Sequence, residues 1–357
     1  MAYKKIEMQD YAGIKFYPKT TADIVVTSSG ETLESIAAKA NGASNPNLLI
    51  NGGFDVWQEL ENYTFKGGSQ KGYCADQWMF WSYGAGSEVA TITRTEDGLR
   101  VQHNGYTGQT CVHQTLPDPA DSKKLAGKVV TMSFEATIPI GSSIRYAIRN
   151  CKIFGNFSGG SGTDIASTYA AGTGNKQVYT ITGTVPEDVT DLCVLFQRSG
   201  SSNPNIDYTL HWVKLELGSA ATPYVPENAT LELLRCMRHY WRPKGTFATH
   251  NVIADTIYLY AGLWFPVPMR TTPTVIPYET LNVSYPDNPE GYKFGAENWG
   301  APNHVWKFGH YDRTDYKRVT DITVNKDRID MFVINDNTNT AGEKFECHLE
   351  IDARRYS

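Results

Sequence analysis

The sequence lacks the features of several large protein classes. It has no run of 18 uncharged apolar residues, and residues 1–14 have no apolar secretion-signal core. This predicts a chain with no signal peptide and no membrane insertion. Lys and Arg number 33 against 38 Asp and Glu, a net charge of −5, and no basic stripe is present. This predicts no nucleic-acid partner.

Catalytic and metal-binding motifs are also scarce. The six cysteines are widely spaced without a C-x-x-C pair, which predicts reduced, mostly buried thiols rather than a zinc site or a disulfide framework. There is no G-x-S-x-G, and the nearest histidine pair, His304 and His310, is six residues apart. The acidic residues alternate with Lys, Arg, Thr or Pro, as on solvated surfaces. We therefore expect no enzymatic activity and no catalytic cofactor.

The sequence is rich in aromatic residues and in short alternating runs. Aromatic residues make up 12% of the chain, with 21 Tyr and 8 Trp, which favours strands and binding surfaces. Runs separated by Gly, Ser, Asn and Asp predict an all-β protein: a jelly-roll β-sandwich followed by a smaller β domain. The predicted domains are an N-terminal leader at 1–46, the jelly roll at 47–226, and a linker helix with the C-terminal β domain at 227–357. Nine strands are predicted in the jelly roll: 76–83, 88–94, 99–103, 110–116, 129–137, 143–150, 176–185, 192–198 and 208–217.

Two segments predict helices, and one predicts a long loop. In Ser28–Ala40 the apolar residues follow helical spacing, with Ser28 and Glu31 placed as a capping box. This short helix either packs on its own domain or forms a bundle with copies of itself. Asn228–Tyr240 predicts a helix at the domain junction, and the Gly-rich Gly155–Gly174 predicts a surface loop.

Three segments of the sequence carry a family resemblance. They are Asn47–Gln58 with Cys74–Trp78 (NLLINGGFDVWQ and CADQW), Val213–Tyr224 with Glu232–Tyr240 (VKLELGSAATPY and ELLRCMRHY), and Phe265–Val275 with Glu350–Ala353 (FPVPMRTTPTV and EIDA). Together they resemble bacteriophage tail-fibre and receptor-binding proteins that combine a carbohydrate-binding-module-like jelly roll with a small β domain. Gln77 stands where that family usually has Arg.

The resemblance implies a biological setting. Such proteins are homotrimers in the virion, on a tail fibre or baseplate, and are made in the host cytoplasm. They recognise a bacterial cell-surface glycan or protein receptor. Residues 1–46 would then attach the chain to another phage tail or baseplate protein and support trimer formation.

Two aromatic segments are candidates for sugar recognition, because a pyranose presents a C–H face for ring stacking and hydroxyl groups for hydrogen bonds. The C-terminal segment contains Tyr292, Trp299, His304, Trp306, His310 and Tyr311. The jelly-roll candidates are Trp81, Tyr83 and Tyr146. The alternative is that several of these rings only fill the cores of their domains.

A structural calcium ion is the remaining metal hypothesis. The resemblance to jelly-roll carbohydrate modules implies oxygen ligands near the first and last strands, where Asp55 and Asp207 stand. Asp55 alternatively caps a turn.

The sequence thus predicts a non-enzymatic receptor-binding fibre protein. Two alternatives stay open: a structural fibre or baseplate connector that binds only protein, and a glycan-cleaving tailspike depolymerase.

Overall fold

The alternating runs of the sequence form mainly antiparallel β-structure in the computed structural model. It describes residues 8–9, 15–18, 25–27, 44–105, 108–151, 162–198, 205–243, 246–247, 253–254, 258–277, 280–281, 293–296, 305–311, 317–334, 344–347 and 349–354. The chain divides into two compact units. The first comprises Met1–Phe54, Asn62–Gly72 and Met79–Glu227, and the second comprises Asp55–Glu61, Tyr73–Trp78 and Asn228–Ser357.

Thirteen described strands and one short helix precede residue 227. They are β1 (Met8–Gln9), β2 (Lys15–Pro18), β3 (Val25–Thr27), β4 (Asn62–Tyr73), β5 (Met79–Thr95), β6 (Gly98–Asn104), β7 (Gln109–Thr115), α1 (Pro119–Lys124), β8 (Val129–Thr137), β9 (Ser143–Cys151), β10 (Gly162–Ala171), β11 (Lys176–Thr184), β12 (Leu192–Arg198) and β13 (Asp207–Leu217). The strands β4–β13 form one ten-stranded sheet, in which β4 pairs with β5 and the other nine follow the order β10-β9-β12-β7-β5-β6-β13-β8-β11.

This sheet folds into a sandwich around the long strand β5. Its first part pairs with β7 and its second part with β6, so β5 belongs to both layers. Phe134 of β8 contacts Tyr146 of β9 and Phe196 of β12 edge-to-face, with ring centroids 4.8 Å apart in both pairs. These contacts join the two layers through a buried aromatic core. The predicted all-β jelly-roll sandwich is confirmed.

Hydrogen bonds to β13 hold the start of the jelly roll, NLLINGG, in place. The Asn47 side chain donates to the Val213 carbonyl at 2.9 Å and accepts from the Leu215 amide at 3.0 Å. A side chain at Gly52 would place its Cβ 2.4 Å from Asn47 Nδ2 and 2.5 Å from the Val213 carbonyl oxygen. These resemblance-carrying residues therefore serve the fold.

A buried ion pair lies on β13 itself. Lys214 Nζ is 3.2 Å from Glu216 Oε2, and the two side chains are only 1% and 0% exposed. The Lys214 ammonium also donates to the hydroxyls of Ser44 and Thr222, while Glu216 accepts from the amide and hydroxyl of Thr222. This network bonds Ser44, before the first strand of the jelly roll, and Thr222, after its last strand, to β13.

Several sequence predictions for the first unit need correction. The sequence predicts no strands in the leader, yet β1, β2 and β3 form a three-stranded sheet. Residues 162–171 of the predicted Gly-rich loop form β10, and β4 and α1 are unpredicted. These elements are short or rich in small polar residues, so alternation is weak. The predicted helix Ser28–Ala40 lies outside the described residues.

The second unit contains one helix and twelve described strands. They are α2 (Ala229–Met237), β14 (Tyr240–Trp241), β15 (Thr246–Phe247), β16 (Ile253–Ala254), β17 (Tyr258–Trp264), β18 (Thr274–Pro277), β19 (Thr280–Leu281), β20 (Lys293–Ala296), β21 (Val305–Tyr311), β22 (Lys317–Val324), β23 (Arg328–Ile334), β24 (Lys344–Cys347) and β25 (Leu349–Asp352). The predicted helix is confirmed, with Asn228 as its N-cap accepting from the Thr230 and Leu231 amides. One three-stranded sheet has the order β14-β25-β18; a nine-stranded sheet has the path β15-β24-β21-β20-β22-β23-β17-β16, with β19 beside β21.

A buried arginine, Arg354, lies in the core of the second unit. The Arg354 guanidinium lies between the rings of Tyr73 and Tyr240, at 4.0 and 3.9 Å from their centroids. It also donates to both carboxylate oxygens of Asp352 and to Glu59 Oε1 at 2.5 Å. Residues 55–61 and 73–78, which the sequence assigns to the jelly roll, thus help to build this core.

The buried carboxyl of Asp76 gives the second unit a specific pH dependence. Burial raises the pKa of Asp76 from 3.8 to about 6, despite hydrogen bonds from the Gln58 amide and side chain. A raised pKa means that the folded state binds the proton more tightly. The unfolding free energy therefore increases as the pH falls from about 6 to 3.8.

We expect the wild-type protein to gain roughly 2.4 kcal/mol relative to Asp76→Asn between pH 7 and pH 4, at about 1.4 kcal/mol per pKa unit. Urea unfolding at several pH values, followed by hydrogen exchange of peptides from the second unit, measures this difference. The two proteins are compared by how much the unfolding free energy of each changes with pH. This is needed because the Asn substitution also alters the hydrogen bond from Gln58 Nε2. Parallel pH profiles for the two proteins would contradict the assignment.

The cysteines whose side chains the structure describes are free, buried thiols, as the sequence predicts: Cys74, Cys111, Cys151, Cys193 and Cys236. Burial raises the pKa of Cys74 to about 12, so this thiol stays protonated at neutral pH. Within the described residues, no helix is long and apolar enough to cross a lipid bilayer.

Candidate functional site

A mixed polar and aromatic face lies on the layer β10-β9-β12-β7-β5. Alternate residues of a strand point to the same side, and the strand register sets Arg145 opposite Gln197, and Ala147 opposite Leu195. Gln197 in turn pairs with Cys111, which pairs with Trp81. We call this surface the arginine face: Trp81, Cys111, Arg145, Ala147, Arg149, Asp164, Leu195 and Gln197.

The centre of the arginine face is apolar and buried. Trp81, Cys111, Ala147 and Leu195 form one cluster, in which Trp81 is 8% exposed and the others less. This apolar cluster forms the buried base of the arginine face, next to its polar side chains.

The polar part of the face is a hydrogen-bonded network on β9, β10 and β12. Arg145 donates from Nη1 to Gln197 Oε1 at 3.0 Å, and from Nη2 to Asp164 Oδ2. Arg149 donates from Nη2 to the Gly162 carbonyl at 2.6 Å. The side chains of Arg145, Arg149 and Asp164 are 17%, 20% and 31% exposed, so the network is held by the protein yet reaches solvent. Fixed donors and acceptors of this kind suit a ligand with many hydroxyl groups.

The structure places the predicted jelly-roll residues differently from one another. Trp81 lies on the arginine face but is buried, and the backbone of Tyr83 pairs with Gln109. Tyr146 lies on the opposite side of β9, where its ring contacts Phe134 and its hydroxyl donates to the Thr180 carbonyl at 3.1 Å. Tyr146 is therefore a core residue, because even positions of β9 face the sandwich interior while Arg145 and Arg149 face outward.

The predicted C-terminal residues are only partly described. The backbone of Trp306, His310 and Tyr311 lies in β21, with His310 and Tyr311 paired to β19. Tyr292, Trp299 and His304 lie outside the described residues. Their role in sugar binding stays a prediction.

The calcium hypothesis finds no support at Asp207. Its carboxylate accepts from Arg100 Nε at 2.9 Å and Nη2 at 2.5 Å, and from Gln102 Nε2 at 3.0 Å. Burial acts to raise the pKa of Asp207, but these hydrogen bonds outweigh it and lower the pKa below its ordinary value. Asp55 is exposed, and no group of three or more His, Cys, Asp or Glu suited to a metal occurs among the described residues. The Asp207 carboxylate is thus bonded to Arg100 and Gln102, and calcium binding at Asp55 and Asp207 stays a prediction.

Sequence reasoning missed two surface features. One is the partnership of Arg145 with Asp164, which lies in the supposed loop. The other is Trp264 in the second unit, which is 51% exposed and lies under the Arg328 guanidinium at 4.8 Å. The even spacing of Arg145 and Arg149 in a predicted strand was a signal for the first, since it sets both side chains on one face.

Comparison with known proteins gives structural likenesses only. No family model and no curated protein matches the sequence. A solved structure described as "CBM4 structure and function" has 16% identity and a TM-score of 0.33, covering 47% of this chain and 98% of that chain. TmCBM61 in complex with β-1,4-galactotriose has 10% identity and a TM-score of 0.26, covering 48% and 99%. The enzymatically active domain of bacteriophage CBA120 tailspike protein 4 has 14% identity and a TM-score of 0.30, covering 40% of this chain and 19% of that chain. At these TM-scores the matches do not identify a family.

Proposed function

We propose that this chain is a non-enzymatic glycan-binding protein of the phage tail-fibre type, which attaches a virion to a bacterial surface glycan. The observation that carries the proposal is the hydrogen-bonded network of Arg145, Asp164 and Gln197. It presents oriented donors and acceptors that are partly exposed on a β-sheet. The order of a jelly roll and a second β unit, and the sequence resemblance, support the tail-fibre setting.

The same network favours binding over hydrolysis. Glycoside hydrolysis by the usual route needs two carboxyl groups about 5–9.5 Å apart. Within the described part of the arginine face, Asp164 is the single carboxylate, and it is paired with Arg145. A single carboxylate that is already bonded to Arg145 does not provide the pair of carboxyl groups that this route needs.

Assembly and location extend the proposal. A homotrimer would display three copies of a weak site, and simultaneous engagement would supply avidity that one site lacks. Attachment to another tail or baseplate protein through residues 1–46 would place these sites on the virion. Sedimentation of the purified full chain as a monomer would count against this arrangement.

Binding of the full chain to a panel of extracted bacterial surface polysaccharides tests the function. We expect saturable binding to at least one polysaccharide, weakened about tenfold or more in Arg145→Ala, since a hydrogen bond from a charged group contributes about 1.5–3 kcal/mol. Arg100→Ala is the control, because it removes a different Arg–Asp pair of the same unit, on β6. Equal affinities for the two variants, or no polysaccharide bound by the wild-type chain, would reject the proposed function.

A further inference from the structure

The arginine face carries an excess positive charge. Two guanidinium groups, of Arg145 and Arg149, share the single carboxylate of Asp164. Arg145 donates directly to this carboxylate, whereas Arg149 Nη1 is 3.7 Å from Asp164 Oδ1, beyond hydrogen-bond distance. The other contact of Arg149 is the neutral carbonyl of Gly162. Arg149 thus shares with Arg145 one carboxylate, which balances only one of the two positive charges.

The neighbouring side chains do not remove this excess. Gln197, Leu195, Ala147 and Trp81 are uncharged. Burial raises the pKa of the Cys111 thiol and lowers the pKa of His113, which pairs with Leu195, to about 3. Both groups are neutral at pH 7, so the described arginine face has a net charge of about +1.

Partial burial makes that charge more effective. The Arg145 and Arg149 side chains are 17% and 20% exposed, so part of their field runs through protein rather than water. Charges interact more strongly there than in bulk solvent. The planar guanidinium fork also matches the geometry of a carboxylate or phosphate group.

We propose that the arginine face selects an anionic saccharide, with an acidic substituent of the glycan bonded to Arg149. This inference rests on the proposed function and names its ligand class. The shared chemistry is a carboxylate or phosphate group carried by a hydroxyl-rich polymer. The hydroxyls would bond to Gln197 and Asp164, and the anionic group to the Arg149 guanidinium.

Variants that raise or lower the net charge of the arginine face test the inference. Asp164→Asn raises the net charge of the face to about +2 while its remaining oxygen still accepts from Arg145. Arg149→Gln lowers the charge to about zero. Affinities of the full-length variants are measured for polygalacturonic acid, a glycerol-phosphate teichoic acid and neutral dextran, each at 50 and 500 mM NaCl. Arg100→Gln on β6 is the control.

We expect the wild-type protein to bind one or both anionic polymers and dextran at least tenfold more weakly. Asp164→Asn should bind the anionic polymers about fivefold more tightly, and Arg149→Gln at least tenfold more weakly, with affinity falling at high salt. Tighter binding cannot arise from a misfolded site, so Asp164→Asn guards against a trivial loss in Arg149→Gln. Preference for one anionic polymer identifies carboxylate or phosphate as the recognised group.

Different results would reject the anionic selectivity and the glycan-binding function. If dextran binds as tightly as the anionic polymers and neither variant changes this, the protein binds glycans but the anionic selectivity is wrong. If no polysaccharide in either this set or the bacterial panel binds, the proposed function itself is rejected.

Discussion

Replacing Lys214 with methionine should lower the unfolding free energy of the first unit by about 3–5 kcal/mol, the usual cost of leaving a buried charge without its partner. Methionine fills much of the space of the lysine stem but leaves the Glu216 carboxylate, 0% exposed, facing only the amide and hydroxyl of Thr222. The variant also removes the donors to the hydroxyl of Ser44 and the carbonyl of Pro223. Urea unfolding followed by tryptophan fluorescence measures the loss.

Two further variants separate the buried charge from general packing effects. Lys214→Met combined with Glu216→Met should be more stable than Lys214→Met alone, because no unpaired charge remains. Lys176→Met removes the exposed ion pair with Asp97 and should leave stability unchanged within error. If Lys214→Met is as stable as the wild-type protein, the Lys214 network does not stabilise the first unit.

Replacing Arg354 with methionine should destabilise the second unit by a similar amount, about 3–5 kcal/mol. The substitution removes hydrogen bonds to Asp352 and Glu59 and leaves both carboxylates without their common cation. It also ends the stacking of the guanidinium between Tyr73 and Tyr240. Loss of hydrogen-exchange protection in peptides covering 55–61, 73–78 and 349–354 reports the effect.

Arg354→Lys tests which property of the arginine matters. It keeps the charge but loses the planar fork, so it should recover only part of the lost stability. Arg328→Met, which breaks the exposed pair with Asp330, is the control and should cost at most about 1 kcal/mol. Equal stability of Arg354→Met and this control would refute the central role of Arg354.

Local patterns in the sequence predict the secondary structure well where burial alternates. The strand Val129–Thr137 is predicted with its observed bounds, because its even positions Val130, Met132, Phe134 and Ala136 are apolar. The helix beginning after Asn228 is predicted from apolar spacing, with Asn228 itself as the N-cap. Residues 162–171 were missed as a strand because their exposed, small and polar side chains show no such alternation.

The candidate site depends on the pairing of neighbouring strands, which local sequence patterns do not predict. Nothing local indicates that Arg145 meets Asp164 and Gln197, since strand register decides this. In β9 the period of two places Tyr146 and Arg149 on opposite faces, but it does not decide which face is the core. That choice is made by Phe134 and Phe196 of other strands.

The partnership of Glu59 with Arg354 joins residues 295 positions apart in sequence. At about 5–20 residues per second, a ribosome needs about 15–60 s to synthesise the intervening chain. Segments 55–61 and 73–78 are therefore synthesised long before their partners, and the jelly-roll strands that follow them in the sequence are complete first. The second unit can complete its core only after residue 354 has been synthesised, and a stop codon before that residue would leave these segments without the core to which they belong.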